Sequence, residues 1–241
     1  MKIRLNKFLS LAGVASRREG DRLITEGRIQ VNNQIVNELG HKIDDETDIV
    51  YVDGKKVRPP EKQVYLILNK PSGYLVTLKD PFGRRTVRDL LPASLGRVFP
   101  VGRLDLDTQG LLLLTTDGEL AYRLSHPRFR VKKAYVAKVH GAPTLEALSK
   151  LERGVYLEGK RTAPAKVVLL AHGPKSSVLR IELHEGRKRE VRNMCQAVGY
   201  NVLELKRVGF AGLALKKLKP GEWRHLEPRE VRRLRELVKL S

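Results

Sequence analysis

The chain has 241 residues, enough to bury a substantial core and more in keeping with two domains than with one. Hydrophobic residues make up 41% and charged residues 31%, no apolar run approaches a membrane span, and residues 1–6 do not open a signal peptide, so a cytoplasmic chain with no membrane partner is expected. Forty-seven Lys and Arg stand against 27 Asp and Glu, a net charge of +20 that points to a polyanionic partner. Residues 1–62 hold only 12 of the basic and 10 of the acidic side chains, so most of the excess lies beyond them. A charged surface with no specific site is the plain alternative. Cys195 is the single cysteine, which excludes an internal disulfide, and the six scattered His give no zinc spacing.

Leu5, Phe8, Leu9 and Ala12 recur at helical spacing and predict an amphipathic helix over residues 3–12, ended by Gly13. Ser16 and Glu19 fit a capping box for a second helix that runs to Gly27. Extended pieces follow at 28–31 and 34–36 around an Asn32-Asn33 turn, and at 48–52, closing at Asp53-Gly54. Lys7, Arg17, Arg18, Arg22 and Arg28 lie on or near the two helices, a basic face that suits phosphates about as well as it suits solvent. Pro59 and Pro60 stop regular structure, so residues 59–63 read as a linker between a domain at 1–58 and another at 64–241.

In the second domain a buried strand is expected at 64–68, stopped by the turn formers at 69–73. The loop Lys79-Asp80-Pro81-Phe82-Gly83-Arg84-Arg85 mixes turn formers and cations. Phe82 among arginines is suited to stacking on a base, although folding back onto the core is the commoner fate of a loop Phe. Residues 98–101 lead to a polar turn that sets Asp105 beside Arg103. Thr108-Gln109-Gly110 reads as the end of that turn, residues 111–114 as a fully buried strand and Asp117-Gly118 as its stop. A short helix at 119–124 precedes a cluster of Arg128, Arg130, Lys132 and Lys133, and an alternating strand at 134–139 carries Tyr135. Beyond it come a helix at 144–153, two strands within 154–170 and a strand at 178–183. A loop bearing Arg187, Lys188 and Arg189 then leads into a helix with Val191, Met194, Cys195 and Val198 on its apolar face and Arg192 at the edge. Strands at 202–208 and 213–218, a turn at 220–223 and a basic helix at 230–240 complete the chain.

Asp105, Tyr135 and Arg192 are the groups with chemical potential. An arginine paired to Asp105 would keep it ionised, as a carboxylate nucleophile or general base requires. A tyrosine ring is a platform for a flipped base, and its hydroxyl can give or take a proton. Taken singly, each has an ordinary reading: a turn-capping Asp, a core Tyr, a surface ion pair. Asp105 with Asp107 also fits a two-carboxylate site, against which the arginine excess favours a phosphate-bearing substrate and no metal.

Arg4-Leu5-Asn6-Lys7-Phe8-Leu9, Gly13-Val14-Ala15-Ser16-Arg17-Arg18 and Gly27-Arg28-Ile29-Gln30-Val31-Asn32 resemble the small RNA-binding domain shared by ribosomal protein S-four, tyrosyl-tRNA synthetases and several RNA-modifying enzymes. Gly102-Arg103-Leu104-Asp105-Leu106-Asp107-Thr108 with Gly110-Leu111-Leu112-Leu113-Leu114-Thr115 resembles the signature of the RsuA-type pseudouridine synthases. Lys133-Ala134-Tyr135 is similar to that family's Lys-Thr-Tyr element, with Ala in place of Thr, and residues 185–194 to its basic third motif. The likeness extends over most of residues 63–226.

The resemblance implies an α+β chain, with a small helix-helix-strand RNA-binding domain followed by a catalytic domain on a mixed, mainly antiparallel sheet flanked by helices. It implies a chain that needs no cofactor or metal and isomerises a uridine of ribosomal RNA, free or in a pre-ribosomal particle, and a monomer is expected. Asp105 would attack the ribose C1′ or the uracil ring. Tyr135 would stack on the flipped base and help remove its C5 proton, and Arg192 would pair with Asp105. Arg103 would contact RNA near the gap left by the nucleotide. Lys133, Arg187, Lys188 and Arg189, with Lys7, Arg17, Arg18 and Arg28, would complete the RNA-binding set. Residues 118–121 and 187–194 look closer to the large-subunit rRNA members than to the small-subunit one; a small-subunit target and a binding-only role in ribosome assembly are the alternatives.

Overall fold

The computed structural model describes residues 2–60 and 62–240. Glu61, inside the expected linker, and the terminal Met1 and Ser241 lie outside them. The chain divides into two compact units, one of residues 1–64 with 93–98 and 116–118, the other of the remainder.

In the first unit, β1 (Lys2–Arg4) precedes α1 (Leu5–Leu11) and α2 (Arg17–Thr25), followed by β2 (Ile29–Val31), β3 (Gln34–Ile35), β4 (Lys42–Asp44), β5 (Val50–Val52) and β6 (Lys55–Val57). The first helix starts later than its periodicity suggests because residues 2–4 pair antiparallel with β4, which buries Ile3 against Ile43. The Ser16 hydroxyl accepts the Glu19 N–H at 3.2 Å and so caps α2. Leu5, Phe8, Leu9, Leu23 and Ile24 are buried with Ile29, Val31 and Val50. A sheet in the order β3-β2-β5-β6 completes the unit. Strand β6 goes beyond the sequence reading, whose last extended piece in this domain closed at Asp53-Gly54: the strand is Lys-Lys-Val, with no buried alternation to betray it.

The second unit contains β7 (Tyr65–Lys70), β8 (Phe99–Pro100), β9 (Thr108–Thr115), α3 (Gly118–Ser125), β10 (Lys133–His140) and α4 (Leu145–Arg153). It continues with β11 (Tyr156–Leu157), β12 (Lys160–Arg161), β13 (Lys166–Ala171), β14 (Ser176–Leu183), α5 (Glu190–Ala197), β15 (Val202–Phe210), β16 (Leu213–Ala214), β17 (Trp223–His225) and α6 (Pro228–Leu237). Among the described residues the main sheet runs β13-β14-β10-β15-β9-β7-β17, with β16 on β15 and β8 on β9. All these pairings are antiparallel except β9 with β15, so the sheet is mixed and mainly antiparallel, as expected.

Leu111, Leu112, Leu113 and Leu114 are all fully buried. Leu111 and Leu113 pack with Ile67, Leu120, Leu124 and Leu234, while Leu112 and Leu114 point the other way, opposite the buried Leu68 and Leu66. Burial on both faces is why the strand is a continuous apolar run rather than an alternating one. A second core joins Ala137, Val139, Leu179 and Ile181 to Val191, Met194 and Cys195 of α5.

Four sequence expectations change. The stretch 154–170 forms pieces of β11, β12 and β13 rather than two strands, and regular pairing in 213–218 stops at Ala214. Trp223, read as the end of a turn, opens β17 and pairs with Leu68. Thr108, Gln109 and Gly110 are strand, not turn, paired in parallel with Leu205, Lys206 and Arg207. The glycine misled because its role is close approach: with φ at +111°, a Cβ on Gly110 would lie 2.2 Å from the Arg207 carbonyl oxygen. Gly110→Ala is therefore expected to cost more than about 3 kcal/mol in urea unfolding. Gly221→Ala, also at positive φ but with nothing near the new methyl, should cost about 1 kcal/mol.

Candidate active site

An open cavity of 1240 Å³ lies in the second unit, and Arg103, Asp105, Lys133, Tyr135, Arg187, Lys188, Arg189 and Arg207 are on its wall. The parallel pairing of β9 with β15 brings the Asp105 turn beside the sheet. On the other side of β15, Tyr135 of β10 pairs with Arg207 at a register shift between Ala134 and Tyr135. Such a bulge re-aims a side chain. Tyr135 is half-buried: it packs against the second core and also lines the cavity wall, so its ordinary core reading is only part of its place.

Lys70 holds the turn. It is fully buried at the end of β7, and its ammonium donates to the carbonyls of Thr108 at 2.8 Å, Pro71 at 3.1 Å and Leu106 at 3.3 Å. The Gly73 N–H donates to the same Leu106 carbonyl at 2.9 Å. Burial pushes the Lys70 ammonium down to about 8, and the charges of Asp107 and Asp105 work against that shift. The sequence reading passed over Lys70 as part of a strand stop. The available signal was its register, two residues beyond the buried Leu68 on the same face.

Arg192 does not pair with Asp105. Its Nη2 lies 3.1 Å from Oδ2 of Asp107 and also donates to the Asp107 carbonyl at 3.3 Å, while Nη1 donates to the Val202 carbonyl at 2.9 Å. Arg189 meets the same carboxylate at 3.3 Å and 3.4 Å. Asp107 is thus held between two guanidinium groups, which argues against the two-carboxylate reading. Among the described residues no ion pair is formed by Asp105, which is half-buried and faces the cavity.

Arg207 was also missed, although it follows the buried Leu205 at strand spacing. It is 2% exposed, its Nε donates to the Leu111 carbonyl at 2.8 Å, and its guanidinium carbon sits 5.0 Å from the centre of the Phe210 ring. Burial and then the charge of Arg207 lower the Lys133 ammonium, while Glu190 opposes them. Arg187 is turned inward: it donates to Glu185 at 2.9 Å and to the carbonyls of Lys160 at 3.0 Å and Arg161 at 2.6 Å. It ties the basic motif to β12, whereas Lys188 and Arg189 stay exposed. Glu190 is buried beside it, close to Glu185. Burial, then the hydrogen bond and charge of Glu185, push Glu190 up to about 7. Glu185, despite its own burial, is held low by the hydrogen bond from Glu190, the Ala163 N–H and Arg187.

In the first unit Arg17 and Arg18 are exposed and Lys7 is half-buried. Arg28 is engaged by Asp53, with Nε 2.8 Å from Oδ1, so its charge is largely answered within the unit.

Residues 64–197 match the sequence profile of the RNA pseudouridylate synthase family, and residues 3–49 that of the S4 domain. The chain belongs to the RNA pseudouridylate synthase family. It is 48% identical to the "Ribosomal large subunit pseudouridine synthase B" of Bacillus subtilis, over 98% of this chain and 96% of that one. It is 46% identical to an uncharacterized RNA pseudouridine synthase of Aquifex aeolicus, over 100% and 97%. A crystal structure titled as a pseudouridylate synthase superposes with a TM-score of 0.70 at 28% identity, covering 96% of this chain and 99% of the other. The synthase is thus of the RsuA type, with an RNA-binding S4 domain in front of the catalytic domain.

Lys70→Met in this synthase removes the donor that fixes the Asp105 turn. It should lower kcat roughly tenfold to a hundredfold with little change in KM, read as tritium release from RNA labelled at uridine C5. A second expectation concerns pH. The folded state keeps a proton on Glu190 that the unfolded chain gives up above about 4.5, so this group's contribution is full below pH 4.5 and is lost as pH rises towards 7. Glu190→Gln stays neutral, and urea unfolding should show the variant gaining on the wild type across that window and level beyond it.

Proposed function

We propose that this synthase isomerises one uridine of large-subunit ribosomal RNA, with Asp105 as the nucleophile. The observation that carries this is the division of the two carboxylates of the turn: Asp107 is held by Arg189 and Arg192, while Asp105 faces the cavity that Tyr135 also lines, with no ion pair among the described residues. The choice of RNA is supported by near full-length identity to the Bacillus subtilis protein named for the large subunit, and the exposed Arg17 and Arg18 of the S4 domain suit contact with phosphates.

The target nucleotide leaves its stack and enters the cavity, where Tyr135 stacks on the uracil. The Asp105 carboxylate attacks the ribose C1′ or the uracil ring, and the bond from C1′ to N1 breaks. The base turns, C1′ bonds to C5, and the bond to Asp105 breaks, which frees the carboxylate. The proton on C5 then leaves, with Tyr135 placed to help, and N1 takes one up, so that product and substrate have the same atoms. Arg192 and Arg189 act through Asp107 by bracing the turn, and Arg103 on the cavity wall meets the RNA beside the vacated position.

Asp105→Asn tests the assignment. Binding of large-subunit rRNA, measured by gel shift, should stay within about threefold of wild type, and tritium release should fall below detection. Residual turnover in the variant would remove Asp105 from its role. Comparison of pseudouridines in rRNA from cells with and without the protein names the nucleotide, and a difference confined to the small subunit would refute the choice of RNA.

A further inference from the structure

The loop at residues 79–85 takes no part in the chemistry above, yet it is firmly built. Phe82 does not fold back onto the core, the commoner fate of a loop Phe: it stands 79% exposed. Asp80 Oδ2 accepts the backbone N–H of Phe82 at 3.1 Å and that of Arg84 at 3.0 Å. The same carboxylate takes Arg84 Nε at 3.1 Å and Nη2 at 2.7 Å, and its side chain is only 5% exposed. The hydrogen bond from Arg84 leads in holding Asp80 down to about 2, against the effect of burial, so the clamp stays ionised across the working pH range. Gly83, at φ +68°, makes the turn that an L side chain would strain.

These bonds set the Arg84 guanidinium 5.1 Å from the centre of the Phe82 ring. Asp80 and Arg84 line the active cavity along with Lys79, while Phe82 itself stands outside the wall. A single exposed apolar side chain on a surface needs no explanation. Here an ion pair and two backbone bonds hold the ring out, a cation lies against it, and the cavity next to it belongs to an RNA-modifying enzyme. A ring with a guanidinium beside it, set among Lys79, Arg84 and Arg85, has the chemistry that holds an unpaired nucleobase by stacking and its phosphates by charge.

We propose that Phe82 and Arg84 form a stacking clamp for an unpaired base that neighbours the target uridine, held outside the cavity while the uridine lies inside it. Phe82 is then a positioning residue that helps choose which uridine enters. The inference rests on the reading of the cavity as the site of an rRNA uridine, and its test keeps the two apart.

The test uses the full chain, a large-subunit rRNA transcript labelled with tritium at uridine C5, and the variants Phe82→Ala and Phe82→Trp. Phe82→Ala should raise KM roughly tenfold to a hundredfold, the worth of one stacked base, and leave kcat within about twofold. Phe82→Trp should restore KM, and the added indole emission should be quenched as transcript is titrated in. A wild-type KM in Phe82→Ala, or added emission unchanged at saturating transcript, overturns the clamp. A wild-type chain that releases no tritium refutes the choice of RNA instead, and quenching by the transcript then decides the clamp without turnover: quenching supports it and its absence sinks it.

Discussion

A buried ammonium with no carboxylate in contact among the described residues is the constraint on which the rest of the site depends. Lys70 has three N–H donors, and they are taken by three backbone carbonyls, two of which, Leu106 and Thr108, bracket Asp107. A neutral side chain of similar length offers fewer donors and would leave carbonyl groups without a partner. Desolvating a cation here is costly, and the nearby charges of Asp105 and Asp107 offset part of it. The turn is therefore fixed by its main chain, which leaves the Asp105 side chain available for chemistry.

The acidic pair then divides its work. Asp107 draws Arg189 and Arg192 onto the turn, which couples the start of α5 to the start of β9, and so one carboxylate helps the structure while the other faces the cavity. The same principle operates in the basic third motif. Arg187 turns inward to carbonyls of Lys160 and Arg161, Arg189 is held by Asp107, and Lys188 remains outward. Net charge alone does not say which cations meet RNA; the acceptors that fold around each one decide it. Beneath them lie Lys133 and Arg207, where burial and then the charge of Arg207 lower the Lys133 ammonium and Glu190 opposes the shift.

Much of this was legible in the sequence. The four leucines of β9 announced a strand buried on both faces, and the amphipathic face of α5 placed Val191, Met194 and Cys195 in a core. The motif order also placed Asp105 and Tyr135 on what proved to be one cavity wall. What was not legible depended on contacts between distant strands. Gly110 reads as a turn former until β15 is known to pass against its Cα. Lys70 and Arg207 read as ordinary cations because burial of a charge is set by the strands around it. The partner of Arg192 turned on two residues, Asp105 and Asp107, that lie two apart in one turn, and no spacing rule separates them. Short strands such as β6 and β17 carry little hydrophobic signal and escaped for that reason.

The loop at 79–85 is shaped almost wholly by bonds among its own members, and it joins the sheet domain through Leu75, whose N–H meets the Arg85 carbonyl and whose carbonyl meets the Val87 N–H. Its tip is therefore free to diverge without disturbing the floor beneath, where Gly110 tolerates no side chain at all. A lineage can alter what the rim grips while the bond-making machinery stays frozen, and an engineer can exchange the rim as a cassette for the same reason.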